Sequence, residues 1–268
     1  MTSDAWLWPV LLGILGLVFG SFIATIAIRW PEGRSATKGR SACDSCGKGL
    51  AAGELVPMLS YLWQRGRCRG CGEKIHPSHW LTEMAGGAVG VAAGLVAPGE
   101  PAVWGAVFGW VLLALAALDI AAYWLPNMLT GTLAALGLAS GLGLEPSFAD
   151  RLIGGAAGFG VLWLAATGYR RLRGRQGLGG GDPKLFGAIG LWLGWQMLPL
   201  VLLAACLIGL AGVLGLMAGG KRVVGTDRLP FGLMLAAAAF AVWIGQPPRP
   251  KLWGPATAVI ELPPTGER

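Results

Sequence analysis

The feature that most constrains this chain is a series of long uncharged apolar runs. Ala5 to Ile28, Pro101 to Leu118, Ile120 to Leu144, Leu152 to Tyr169, Leu185 to Gly220 and Leu229 to Pro248 each contain no Asp, Glu, Lys or Arg. Met84 to Gly99 is a further run that extends back through Trp80 once Glu83 is tolerated. A bilayer-crossing helix needs about 20 apolar residues. The apolar positions lack the alternation of barrel strands, so the runs are read as helices. Only 13% of the residues are charged and 54% are apolar, against about 25% charged in an ordinary soluble domain. This balance excludes disordered, fibrous and disulfide-rich secreted classes. The expected fold is an all-α polytopic integral membrane protein. The Pro101–Leu144 and Leu185–Gly220 stretches are each long enough for two helices, which makes about eight transmembrane helices. The sixth and seventh are near the lower length limit.

Charge sets the orientation. With the N-terminus outside, segments 29–79, 119–126, 170–184 and 218–229 lie inside and hold all but four of the 21 Lys and Arg, as the positive-inside rule requires. The excess of basic residues is therefore a topology signal. Nucleic-acid binding is not expected, because no aromatic-basic ladder accompanies the charge. A cleaved signal peptide would need a basic n-region. Here only Asp4 precedes the first run and Arg29 follows it, so the first run is expected to be a retained anchor. The expected organisation is a first transmembrane helix (1–28), a cytoplasmic metal-binding loop domain (29–79), a seven-helix membrane domain (80–248) and a Pro-rich outer tail (249–268).

Four of the five cysteines form two pairs, Cys43-Asp44-Ser45-Cys46 and Cys68-Arg69-Gly70-Cys71. Each pair can place two thiolates on one tetrahedral ion, and Gly47, Gly70 and Gly72 permit the tight knuckle turns. In a reducing cytosolic loop disulfides are disfavoured, and a closed four-sulfur site is a structural Zn2+ site. A small loop with few large apolar residues gains its fold from such a staple. A redox pair is the competing reading. His76 and His79 are surplus to a four-sulfur site and are expected at the membrane interface. Cys206, inside an expected helix, reads as a small packing residue.

Acids at membrane depth are costly and are functional candidates by default. Glu83, Asp119 and Asp182 interrupt or border the apolar runs. Glu83 is expected to pair with a polar group or cap the second span. Asp119 falls at the inner end of the third span, with Pro126-Asn127 marking the start of the fourth. Asp182 follows the glycine-rich stretch Gly177-Leu178-Gly179-Gly180-Gly181, which lacks the Gly-Lys-Ser/Thr of a phosphate loop. On this topology both aspartates lie at one membrane face. Two carboxylates in mutual reach titrate as a unit and can activate water, as in aspartic proteases. A proton path in a transporter and interfacial helix caps are the alternatives.

The ordered motifs resemble one family. Gly16 to Pro31, Val56 to Leu62 followed by Arg65 to Gly72, Ala117-Leu118-Asp119 through Leu125-Pro126, Gly179-Gly180-Gly181-Asp182-Pro183-Lys184-Leu185, and Leu229-Pro230-Phe231-Gly232 are similar to successive motifs of the type IV prepilin peptidases, the leader peptidase/N-methyltransferases of pilus and type II secretion systems. The likeness extends from about Leu15 to about Ala238. It implies a bacterial inner-membrane enzyme that removes the leader of type IV prepilins or pseudopilins at the cytoplasmic face, with Asp119 and Asp182 as the catalytic pair. Gly179, Gly180 and Gly181 would give the extended substrate room to approach. The resemblance also implies methylation of the new N-terminal amine with S-adenosylmethionine, by residues that no motif identifies. There are departures from the family pattern: Asn127 stands where Asp is usual, Ile23-Ala24-Thr25 replaces a common Asn-Val pair, and Leu233 replaces a Pro. Rival readings are an intramembrane aspartic protease without methylation, a proton-coupled transporter and a non-catalytic assembly factor.

Overall fold

The computed structural model describes residues 6–36, 41–43, 45–175, 177–222 and 228–246, with the backbone alone at Ala52. The described residues are helical apart from short turns and the long loop between Arg29 and Ser78, which holds two isolated antiparallel bridges, Ala42 with Gly49 and Arg67 with Lys74. The helices are α1 (Leu7–Arg29), the short α2 (Leu59–Trp63), α3 (Ser78–Val96), α4 (Glu100–Ala122), α5 (Asn127–Ser140), α6 (Phe148–Arg173), α7 (Asp182–Leu193), α8 (Leu198–Ala218) and α9 (Phe231–Gly245). The tail expected at 249–268 lies outside the described residues.

Every expected span has a helix, but among the described residues four helices are long and apolar enough to cross a membrane: α1, α4, α6, and α8 with its leading 3-10 turn from Trp195. The chain is thus a membrane protein. The count of eight is narrowed for a local reason. Helix α5 has 14 residues, α7 has 12 and α9 has 15, which at 1.5 Å per residue is about 21, 18 and 22 Å, short of a hydrocarbon core of about 30 Å. Proline and glycine cut them short. Pro126 and Pro230 are the residues before α5 and α9. Gly194, at φ +76°, stops α7 in a conformation that disfavours side chains. Helix α3 has 19 residues and carries Glu83.

Helix α4 is the most buried of the long helices. Against it pack α3, α9, α1 and α5. Its Phe108 stacks on Trp192 of α7 at 4.7 Å between ring centres, and Trp192 Nε1 donates to the Leu133 carbonyl of α5 at 2.7 Å. The same helix holds Trp110, which stacks on Phe19 of α1 and donates to the Gly86 carbonyl of α3. Two helix pairs approach so closely that only glycine fits. A Cβ on Gly16 or Gly20 of α1 would fall on the backbone of α3 at Gly86 or Thr82, and a Cβ on Gly190 of α7 would fall on Gly154 of α6. Such small-residue contacts let backbones pack where no hydrophobic effect separates helix from lipid.

The outer faces of α1, α6 and α8 are covered with exposed Leu, Ile, Val and Phe, including Ile14, Leu164, Leu203 and Leu207, as bilayer contact demands. Cys206 lies exposed on α8 rather than in the packing role expected of it, because α8 turns most of its circumference outward.

Candidate active site and metal site

The cysteine loop folds as two matching knuckles. In the first, Cys43 N–H donates to the Lys48 carbonyl and Gly47 N–H donates back to Cys43, both at 2.9 Å. In the second, Cys68 N–H donates to Glu73 at 2.8 Å and Gly72 N–H to Cys68 at 2.9 Å. Gly47 and Gly72 close the turns at φ +71° and +73°, where a side chain would be strained. The knuckles face each other, and all four Sγ atoms lie within 4.8 Å of one another. Cys43 and Cys71 Sγ are 4.0 Å apart. Four thiolates about 2.3 Å from one ion would be about 3.8 Å apart, so the cluster has the dimensions of a four-sulfur metal site. The amides of Cys71 and Gly70 face the Cys68 sulfur and hold its thiol down to about 6; a thiolate is the form that binds metal. His76 points elsewhere, its Nδ1 2.8 Å from the Ser78 hydroxyl.

The loop is tied to the membrane helices at two points. Glu83, buried in α3, accepts the Met58 N–H at 2.8 Å, which is the polar pairing expected for it. Tyr61 of α2 lies against Trp80 of α3, ring centres 6.3 Å apart.

The two aspartates come together at one end of the bundle. Asp119 is in the last turn of α4. That helix stops at Tyr123, whose left-handed backbone (φ +50°) turns the chain toward Leu125 and Pro126. The Tyr123 hydroxyl donates to the Arg228 carbonyl at 3.2 Å, holding the segment that leads into α9. The first turn of α9 then faces Asp119: Leu233 N–H donates to Asp119 Oδ2 at 3.0 Å, with the Gly232 amide also directed at it. A helix N-terminus is a natural place for a carboxylate. A Cβ on Gly232 would sit 2.9 Å from Asp119 Oδ2, which gives the Pro-Phe-Gly segment a physical reason: proline starts the helix and glycine admits the acid.

Asp182 opens α7, and its Oδ2 accepts the Gly179 N–H at 2.9 Å. Both aspartates are buried and close enough to feel each other's charge. Leu125 lies between the turn before α7 and the start of α9, since a Cβ on either Gly181 or Gly232 would touch its side chain. Of the three glycines expected to admit substrate, Gly179 faces Asp182 and Gly181 faces Leu125; Gly180 opens onto free space. On the exposed side of α7, Lys184 Nζ donates to Asn127 Oδ1 of α5 at 2.7 Å. Sequence reasoning did not single out Tyr123 or the amides of α9 as parts of this site. The signal for Tyr123 is indirect: α4 must end before Pro126, and some residue must reverse the chain.

Comparison with known proteins decides the family. Residues 14–96 match the bacterial peptidase A24 N-terminal domain, and residues 106–216 match the type IV leader peptidase family. Both proposed catalytic aspartates fall inside the second match, and the four cysteines inside the first. The chain belongs to the type IV leader peptidase family. It is 39% identical over 217 residues to a prepilin leader peptidase/N-methyltransferase of Aeromonas hydrophila, covering 80% of this chain and 72% of the relative. It is 39% identical over 265 residues to one of Burkholderia pseudomallei, covering 87% and 84%. It is 40% identical over 207 residues to one of Klebsiella pneumoniae, covering 74% and 91%. No solved structure matches the chain. Membership of a leader peptidase family decides against the transporter and assembly-factor readings.

Proposed function

We propose that this enzyme removes the leader of type IV prepilins or pseudopilins with Asp119 and Asp182 as its catalytic pair, and then methylates the new N-terminal amine. The observation that carries the peptidase reading is the meeting of two buried carboxylates at one end of the bundle, each held by a backbone amide, in a chain of this family. One carboxylate takes a proton from water while the other, protonated, polarises the scissile carbonyl. Water oxygen bonds to the carbonyl carbon, the C–N bond breaks, and the leaving amine takes a proton. Leu233 and Gly179 amides hold Asp119 and Asp182 in place throughout. Gly180, with open space beside it, leaves room for an extended peptide, the form in which a carbonyl is free for attack.

The location suits such a substrate. Asp119, Asp182 and the loop between α6 and α7 occupy the end that positive charge places inside. In this reading the N-terminus is outside, the cysteine loop is cytoplasmic and the enzyme sits in the inner membrane. A helix arriving laterally through the lipid then meets the pair at its junction with a polar leader. Arg170, Arg171, Arg173 and Arg175 fix that topology and can hold anionic lipid.

Zn2+ fits the four-sulfur cluster of Cys43, Cys46, Cys68 and Cys71, where it would supply a structural cross-link between the two knuckles. S-adenosylmethionine is the methyl donor that the family resemblance implies. Neither the groove between α5, α6 and α7 nor that between α1 and α3 is lined by a carboxylate suited to a ribose diol.

The test is mass spectrometry of a prepilin incubated with the purified enzyme, with and without S-adenosylmethionine. Leader loss plus one methyl is the expected result. Leader loss without methylation leaves a peptidase alone, and cleavage that survives either Asp119→Asn or Asp182→Asn removes the catalytic pair.

A further inference from the structure

The segment Val56 to Leu62 takes no part in the metal cluster or the aspartate pair, yet the bundle fixes its depth. Helices α1 and α3 run antiparallel in close contact. A Cβ on Gly94 of α3 would strike Pro9, one on Gly86 would strike Gly16, and one on Gly20 of α1 would strike Thr82 and Glu83. Gly20 lies nine residues before Arg29, the charged end of α1, so Glu83 sits about 14 Å inside that end. By the same register Ser78, the first residue of α3, is about 7 Å inside it. Helix α1 has 23 residues, about 34 Å against a hydrocarbon core of about 30 Å. The level of Trp80 to Glu83 is therefore membrane depth. Met58 N–H donates to Glu83 Oε2, and Tyr61 lies against Trp80. Helix α2 is thus held beside the first two turns of α3, not beyond its end.

We propose that α2 is an interfacial helix, with Leu59, Leu62 and Trp63 among the acyl chains of the leaflet on the side of the cysteine loop. Arg65, Arg67 and Arg69 then meet the anionic headgroups of that leaflet. Depth is the first observation that chooses lipid as the occupant. The second is the face itself: Leu59, Leu62 and Trp63, spaced i, i+3 and i+4, are 64%, 65% and 76% exposed. Leu55 and Val56 before them are exposed as well. The third is the backbone, which lipid cannot serve. The amides of Ser60, Leu62, Gln64 and Gly66 donate to the carbonyls of Val56, Met58, Ser60 and Tyr61 at 2.9 to 3.0 Å. The Met58 amide is met by Glu83, which gives a buried acid at this depth a use. The fourth is charge. The three arginines are exposed, and the Arg69 guanidinium lies 5.3 Å from the Trp63 ring centre. Tryptophan beside arginine suits the headgroup level, and a basic cluster suits an anionic leaflet. The metal-binding knuckles then hang from a membrane-seated segment. This inference goes beyond the peptidase reading and does not depend on it.

The test uses the full-length enzyme, one chain per nanodisc of phosphatidylethanolamine and phosphatidylglycerol. Position 62 is exposed, so a fluorescent amino acid placed there leaves the packing undisturbed. It should lose about half of its emission to lipids brominated about 5–10 Å below the headgroup, the depth reached by the apolar face of an interfacial helix. The same amino acid at position 73, an exposed site in the second knuckle, should keep nearly all of its emission. In liposomes of the same lipids with a prepilin present, a photo-crosslinking amino acid at position 62 should capture phospholipid. Quenching at position 62 no greater than at position 73 overturns the inference. Capture of the prepilin, or of a second enzyme chain, in place of lipid overturns it too. Neither result touches the assignment of the aspartates, which leader cleavage tests separately.

Discussion

Helix α7 has a buried charge-bearing side chain at each end, and the two are served in opposite ways. At its C-terminal end, Arg151 of α6 is 1% exposed and saturated with acceptors. Its Nε donates to Pro146 O, its Nη1 to Gly137 O, Ser140 Oγ, Leu191 O and Trp192 O, and its Nη2 to Leu144 O and Glu145 O, all between 2.8 and 3.2 Å. These are the carbonyls left over where α5 and α7 end and where α6 is about to begin. One guanidinium satisfies the orphan acceptors of two helix ends, and the macrodipoles favour a cation there. At the N-terminal end, Asp182 and Asp119 are buried too, yet a carboxylate can accept about four hydrogen bonds and among the described residues the amide of Gly179 serves one, and those of Leu233 and Gly232 the other. A fully partnered charge fixes a structure. A pair with acceptor capacity to spare, placed in each other's field, is equipped to bind water and move protons.

That contrast predicts which end tolerates change. Asp119→Asn and Asp182→Asn should each lower leader cleavage by about a thousandfold or more, in the range of lost general acid-base catalysis, without lowering the melting temperature of the purified protein. Relieving two close acids of mutual repulsion should leave stability equal or raised. A variant that loses activity only because it unfolds would break the comparison. Arg151→Met should do the reverse. It leaves buried carbonyls at two helix ends without their donor, and each buried polar group left unsatisfied costs about 1–3 kcal/mol. Thermal unfolding in detergent should show that loss directly, and a melting temperature within a degree or two of the parent would refute the structural role.

Arg151 also shows where the sequence falls silent. Read along the chain, a lone Arg beside an apolar run is a surface charge on the outer loop. Its burial depends on three chain segments meeting, and no local pattern encodes that meeting. The aspartates were legible for the opposite reason: an acid inside an apolar run is anomalous by itself, and the glycines around Asp182 mark a backbone that something must approach. The long helices could be read from their uncharged runs. The short ones could not be measured that way, since the runs continue through the turns before α5 and after α9. The spacing of the cysteines announced the two knuckles, while their matching hydrogen bonds needed the fold.

The metal site extends the comparison to a third region, whose order depends on a ligand. The described loop between α1 and α3 has few buried apolar side chains, Cys68 being the buried one among the cysteines. Purified protein should carry about one Zn2+ per chain. Chelation, or Cys68→Ser, should open the loop to proteolysis between residues 41 and 75 while the helical content of the membrane part persists. Because thiolates bind the metal, protons compete for all four sulfurs and retention should weaken as pH falls. Loss of the whole fold on chelation would mean that the loop is built into the bundle more tightly than its two tethers suggest.

The smallest effect belongs to the acid that resembles the pair most in burial. Glu83 is 7% exposed, against 5% for each aspartate, and it too accepts a backbone amide, that of Met58. The difference is what it serves: its amide partner belongs to the loop, with Met58 at φ +60°. Glu83→Gln keeps an oxygen able to accept that amide. The expected cost is about 1 kcal/mol or less, seen as faster hydrogen exchange at Met58 and in α2, with leader cleavage close to that of the parent. A large loss of cleavage in Glu83→Gln, with the loop still protected, would show that burial with one amide partner is enough to mark a catalytic acid here. The pairing of Asp119 with Asp182 would then no longer be what separates the working end of α7 from the structural one.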